Sequence, residues 1–261
     1  MCPNQDRQGA DVPVVIKSSD DVATMREAGR VVATVLREVG HQARPGRSTK
    51  DLDDIAEATT LKFGAKPSFK GLYGFPASVC ISLNDEVVHG IPRADRVLVD
   101  GDIVSLDFGA MVRGLHADAA ITVAVGAVSD DAQRLLDVTE QSLWRAINQL
   151  RPGRRIGDVS WAVQSYVESQ GYSVVRKYVG HAVGRDLHEQ PQVPNHGSPG
   201  RGMSLRRGMT LAIEPMVNAG TAETSVLDDN WTVVTADRTL SAHFEHTVAV
   251  TEGEPLVLTL P

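Results

Sequence analysis

Asp107 and Asp118 lie in SLDFGAMVRGLHADAAITVAVG (105–126), a stretch that otherwise reads as buried β-strand. Strand interiors are poor in Asp, and a buried, unpaired carboxylate is costly enough to take up a proton instead of keeping its charge. Something must compensate the two acids. The glycines of FGAMVRGLHA mark a turn, so a hairpin would set both carboxylates beside each other on adjacent strands. Two more acids occupy similar surroundings, Glu214 in GMTLAIEPMV and Glu245 in HFEHTVAV. Four carboxylates in one site cannot all ionise unless cations sit between them, and the same strands carry no comparable number of basic residues. His181 in VGHAVGRDLHEQPQV adds a nitrogen donor. An oxygen-rich set with one imidazole and no thiolate suits Mn, Fe, Co or Zn better than copper or a structural zinc. Taken singly, each residue has a plainer reading: an Asp closing a turn, a Glu paired with an Arg, a His satisfied in a core. As a set, a pair of divalent metal ions accounts for all of them.

Elements that could carry these residues are legible on both sides. In SSDDVATMREAGRVVATVLREVG the apolar residues Val22, Met25, Ala28, Val32, Val35, Leu36 and Val39 fall at helical spacing behind a cap at Ser18, Ser19 or Asp20. RPGRSTKDLDDIAEATTLKFG follows as a loop and a second helix, capped by Ser48 or Thr49, buried through Leu52, Ile55, Ala56 and Phe63, and ended by Gly64. The pattern then returns: a helix in SDDAQRLLDVTEQSLWRAINQL precedes RPGRRIGDVSWAVQSYVESQG, and the RPGR stretches at 44–47 and 151–154 are offset by 107 residues. At that offset Asp51 meets Asp158, Gly64 meets Gly171, Gly101 meets Gly208, and Asp107 falls on Glu214. Asp118 and Glu245 each precede a TVAV strand and differ from that register by two residues, which keeps them on one strand face. This is the mark of an internal duplication. It predicts one α+β domain over 16–261, with halves at about 18–126 and 129–255 related by a pseudo-twofold axis, after a loosely ordered arm at 1–15. Equivalent strands would then meet and bring their carboxylates to one cavity.

Composition excludes several functions. The 261 residues are 42% hydrophobic and 23% charged, as in globular proteins. The formal net charge is −7 with no dense Lys/Arg run, which argues against stable nucleic-acid binding. Cys2 and Cys80 are the only cysteines, so no disulfide scaffold is indicated. No signal peptide and no membrane span are expected, which points to the cytoplasm.

SVCISLNDEVVHGIP, GDIVSLDFGA, HADAAITVAVG, GHAVGRDLHEQPQV, GMTLAIEPMV and HFEHTVAV occur in that order over roughly residues 18–255. In these motifs the chain resembles the type I methionine aminopeptidases of the pita-bread metallopeptidases. The resemblance implies a curved, mainly antiparallel sheet and five metal ligands, Asp107, Asp118, His181, Glu214 and Glu245, with Asp118 and Glu245 bridging two divalent ions. It implies that Glu214 shuttles a proton, that His188 donates to the developing oxyanion, and that His89 positions the substrate backbone nitrogen. Cys80, Phe75, Leu72, Leu187 and Trp231 would surround the methionine side chain, an apolar and soft lining suited to a thioether. At Leu72, Phe75 and Leu187 relatives often carry bulkier or hydroxylated aromatics, so pocket width is open.

The implied substrate is the N-terminal methionine of a peptide or nascent chain with a small second residue, met transiently near the ribosome by a monomeric enzyme. No room for the type II helical insertion exists between Glu214 and Glu245, and the short start does not provide the zinc-binding domain of eukaryotic cytosolic forms, so a bacterial type is expected. The rivals are an Xaa-Pro aminopeptidase or dipeptidase of the same fold, which normally carries a large extra N-terminal domain, and a non-catalytic binding relative, which would have lost ligands.

Overall fold

Ser18 opens the first helix with a reciprocal cap: its hydroxyl accepts from the Asp21 amide at 3.1 Å, and the Asp21 carboxylate accepts from the Ser18 amide at 3.0 Å. The helix, α1 (Ser19–Gln42), buries Met25, Ala28, Val31, Val32, Val35, Leu36 and Val39. α2 (Thr49–Lys62) repeats the device with Ser48 and Asp51. α3 (Asp130–Ile147) is capped by Ser129. At α4 (Ile156–Ser169) only the carboxylate half survives, Asp158 accepting from the Arg155 amide at 2.8 Å, because Arg155 has no acceptor to offer. These four helices and a set of short and long strands make up the computed structural model, which describes residues 14–261. Most of the arm expected at 1–15 lies outside the described residues. One expected core position does not hold: Phe63 is 55% exposed, because the helix ends before it can turn that side chain inward.

The main sheet is antiparallel throughout. Its long hairpin, Ile103–Val112 and Leu115–Ala124, turns at Arg113 and Gly114, both in the left-handed region, as two-residue hairpin turns require. Leu115–Ala124 pairs next with Glu245–Ala249, then comes Thr210–Ile213, then Gly180–Ala182, then Glu189–Val193. Cys80–Leu83 and Lys66–Pro67 pair with the outer strand of the hairpin. The centre of the sheet is therefore where the last strand of one repeat meets the last strand of the other, the arrangement a pseudo-twofold axis produces. The two RPGR turns match in conformation as well, with φ of 87° at Gly46 and 88° at Gly153.

Period-two alternation divides this sheet into two faces. Val104, Leu106, Phe108 and Ala119 pack under α1 and α2 in one apolar core, while Leu211, Ile213 and Val248 pack under α3 and α4 in another. Ile121 touches both cores. The residues between these positions, including Asp107, Asp118 and Ala212, face the other way.

Candidate active site

The registers of four strands build the floor of the site on that second face. Asp107, Ala120 and Glu245 are direct cross-strand partners in a row, and continuing the pairing of His246 with Ile213 by one residue sets Glu214 opposite Glu245. In the next row Gly109 is opposite Asp118, Thr247 is opposite Ala212, and Ala212 is opposite His181. The acids of the hairpin are thus diagonal neighbours, beside each other on adjacent strands. Between the polar side chains the floor positions are small. At Gly109 a Cβ would come within 2.9 Å of both Ser68 and the Phe69 ring, so no other residue fits beneath that segment.

These rows bring the polar groups together. His181 Nε2 lies 3.5 Å from Asp118 Oδ2 and 3.6 Å from Glu214 Oε1. Donor atoms of Asp118, His181 and Glu245 all fall within 4.8 Å of one another, and these residues are 3%, 9% and 2% exposed. The His181 Nδ1 atom lies 3.0 Å from its neighbour's carbonyl, Ala182 O, which as an acceptor holds the proton on Nδ1 and leaves Nε2 with a free lone pair. Thr247 Oγ1 is 2.9 Å from Asp118 Oδ1 and 2.8 Å from Asp118 O, and accepts from the Asp118 amide at 3.0 Å.

Burial pushes the Asp107 carboxyl well above the usual carboxylate range, and the Asp118 charge adds to the effect. Glu214 and Glu245 are raised in the same way, by burial first and by the neighbouring acids second. Asp118 is raised by burial, against the hydrogen bond from Thr247. Burial also holds the imidazoles neutral, His181 and His89 near about 4 and His188 near about 3. No lysine or arginine pairs with any of the four acids among the described residues, and Asp107 Oδ1 is buried with no hydrogen-bond partner. Four acids, one of them with an orphaned carboxylate oxygen, and an imidazole lone pair are a donor set for hard or borderline divalent cations.

One cleft contains all twelve residues singled out in the sequence: the five donors, His89, His188, Leu72, Phe75, Cys80, Leu187 and Trp231. Phe75 packs edge-on against Trp231, with ring centroids 5.1 Å apart, and makes one apolar wall. His89 adopts a left-handed backbone at φ 63°, an uncommon conformation for a non-glycine residue and one that clusters at functional sites. It is followed by Gly90, where any side chain would run into the Ile81 carbonyl. His188 meets His181 edge-on at 4.5 Å between centroids. Sequence reasoning missed two lining residues, Phe69 and Tyr73. The Tyr73 ring stacks on His188 at 6.1 Å and 14°. Its position between two glycines, in a loop already supplying Leu72 and Phe75, was the available signal.

Residues 23–252 match the model of metallopeptidase family M24. Methionine aminopeptidase 1 of Bacillus subtilis is 54% identical over 239 residues, 92% of this chain and 96% of the relative. That of Mycobacterium tuberculosis is 47% identical over 250 residues, 94% of each. A crystal structure of methionine aminopeptidase from Thermotoga maritima superposes with a TM-score of 0.94 at 46% identity, covering 95% of this chain and all of the other. A prolidase from Pyrococcus furiosus, at 19% identity and a TM-score of 0.76 over 66% of its length, shares the fold. The chain belongs to metallopeptidase family M24 and, within that pita-bread fold, to the methionine aminopeptidases of type I.

Proposed function

We propose that this cleft removes the N-terminal methionine from peptides and nascent chains whose second residue is small, using two divalent ions. The observation that carries the reading is the meeting, in one cleft, of four acids and an imidazole, with donor atoms of Asp118, His181 and Glu245 within 4.8 Å of one another, and an apolar wall. Asp107, Asp118, His181, Glu214 and Glu245 would hold the ions. Bound there, such a pair activates water and polarises the scissile carbonyl.

The protein's own groups do the rest. Leu72, Phe75, Cys80, Leu187 and Trp231 enclose the methionine side chain and exclude water from it. His89, half-buried at a left-handed backbone position before Gly90, orients the first peptide nitrogen. The Glu214 carboxylate takes the proton of the attacking water and returns it to the leaving amine. His188, neutral at physiological pH, donates an N–H toward the carbonyl oxygen as negative charge develops there. The substrate, a chain fresh from translation, supports a monomer working in the cytoplasm close to ribosomes; no helix among the described residues is long and apolar enough to cross a membrane.

The test is a competition between peptides. Protein loaded with Co, Mn or Fe should release methionine from Met-Ala-Ser and leave Gly-Pro intact, and chelation should abolish the release. Faster cleavage of Xaa-Pro peptides than of Met-Ala peptides would refute the assignment, and no cleavage of either by the loaded protein would favour a binding role.

A further inference from the structure

Outside the cleft, the most deeply buried ion pair among the described residues joins Lys17 to Glu189, with the two side chains 2% and 9% exposed. A buried pair of this kind is weak support for stability, since desolvation offsets much of its attraction, so its placement matters more than its strength. Glu189 directly follows His188. One of its carboxylate oxygens, Oε2, takes the Lys17 ammonium. The other, Oε1, turns back to accept the backbone amide of Arg185 at 2.8 Å and lies 3.4 Å from that of Asp186. Gly184 donates to the Asp186 carbonyl at 3.0 Å and accepts from the His116 amide at 2.8 Å. The loop 184–189 is thereby closed on itself and tied to the hairpin that carries Asp118.

Lys17 approaches this loop from a distant part of the chain. It precedes α1, 172 residues away in sequence, and its own amide bonds to the Gly208 carbonyl at 2.8 Å beside the sheet. Space for the contact is made at Gly184, where a Cβ would overlap both the Glu189 carboxylate and the end of the Lys17 side chain. Arg185 and Asp186 are exposed, so without that carboxylate their amides would turn to water.

We infer that Lys17 and Glu189 form a clasp whose task is to position His188 and Leu187 in the cleft. Both are positioning residues: neither lines the cleft, and they act through the loop between them. The inference rests on the proposed function for the role of His188, and a second readout separates the two. Removing the ammonium leaves a buried carboxylate without its cation, which swings toward solvent and so releases the Arg185 amide.

The experiment compares Lys17→Met, Glu189→Gln and the double variant, each loaded with Co or Mn. In Lys17→Met, kcat on Met-Ala-Ser should fall about 10- to 100-fold, the range expected when a catalytic group is misplaced by about 1 Å. KM and metal content should stay near wild type. Hydrogen exchange of the amides from Arg185 to His188 should quicken about tenfold while the helices keep their protection. In the double variant the introduced carboxamide keeps an oxygen for the Arg185 amide and leaves no lone buried charge, so exchange and kcat should both return toward wild type. Wild-type exchange in folded Lys17→Met refutes the clasp whatever the activity, and so does a double variant as impaired as the single. If Lys17→Met does not fold, Glu189→Gln carries the same comparison, with the buried ammonium as the lone charge. Wild-type protein that releases no methionine would sink the role given to His188, while loop exchange would still decide the clasp.

Discussion

Replacing Thr247 by Val tests how the site is supported. Thr247 is fully buried, and its hydroxyl accepts from the Asp118 amide at 3.0 Å while donating one proton shared between Asp118 O and Asp118 Oδ1 at 2.8 and 2.9 Å. The strand Glu245–Ala249 pairs with Leu115–Ala124 only at Glu245 and His246, so at the next position the hydroxyl stands in for a ladder bond. Valine keeps the shape and removes both functions. The orphaned Asp118 amide costs about 1 to 3 kcal/mol as a buried, unsatisfied donor. The Asp118 carboxyl loses the hydrogen bond that favours its charged form, so it releases its proton less readily and rotates more freely. Partners behind a metal ligand are typically worth about 10- to 100-fold in affinity. Urea unfolding of metal-free protein should give the first figure, and calorimetric titration with Co or Mn the second. Wild-type metal affinity in Thr247→Val would show that Asp118 is not held by this hydroxyl, and the registers used to build the floor would lose their consequence.

Three further outcomes follow from the same geometry. His188→Ala should lower kcat about 100- to 1,000-fold with metal content intact, whereas His181→Ala should weaken metal binding and recover in part with excess metal; titration showing the reverse would exchange their roles. In metal-free protein the acids whose folded pKa is raised above the unfolded value hold protons that the unfolded chain has released, an advantage to the folded form that is lost as pH rises. The histidines whose folded pKa burial lowers act in the opposite sense until the unfolded imidazoles are neutral, at about pH 7.5. The Tm of chelated protein should therefore fall above about pH 7.5, and a Tm that is flat or rising there would count against carboxyls raised that far. Cys80, 5% exposed on the pocket wall, should be shielded from a thiol reagent by a methionine-like inhibitor, and Cys80→Ser should stay folded with altered activity; equal labelling with and without the inhibitor would make it core only.

Much of the site was legible because its chemistry contradicts its surroundings. An Asp in the middle of an apolar, β-branched run needs a reason, and four such acids needed the same one. The helices were legible through their caps, as at Ser18 and Ser48, because capping is local and leaves a three-residue signature. Contacts between distant segments leave no such trace. Thr247 and Asp118 are 129 residues apart, and Lys17 and Glu189 are 172 apart, so nothing near either residue announces its partner. The diagonal placement of Asp107 and Asp118 depended on the register of the hairpin, which its turn at Arg113 and Gly114 sets. Tyr73 escaped notice for a different reason: a half-exposed aromatic in a glycine-bounded loop has no periodicity to betray which way it faces.

The duplication also explains why equivalent positions carry different acids. Asp107 lies in the middle of a ten-residue strand, with a paired strand on each side, and its counterpart Glu214 stands just past the end of the strand Thr210–Ile213. Asp118 is likewise central in its strand, while Glu245 is the first residue of its own. A carboxylate at a strand centre is held close to the pleated floor, and one at a strand end starts where the backbone is leaving it. The extra methylene of Glu restores the reach that the second repeat lacks. Gly109, Ala120 and Ala212 fill the floor positions beside these acids, so no larger side chain rises between them. The two repeats therefore kept a common backbone plan and diverged in side-chain length where they had to meet at one centre.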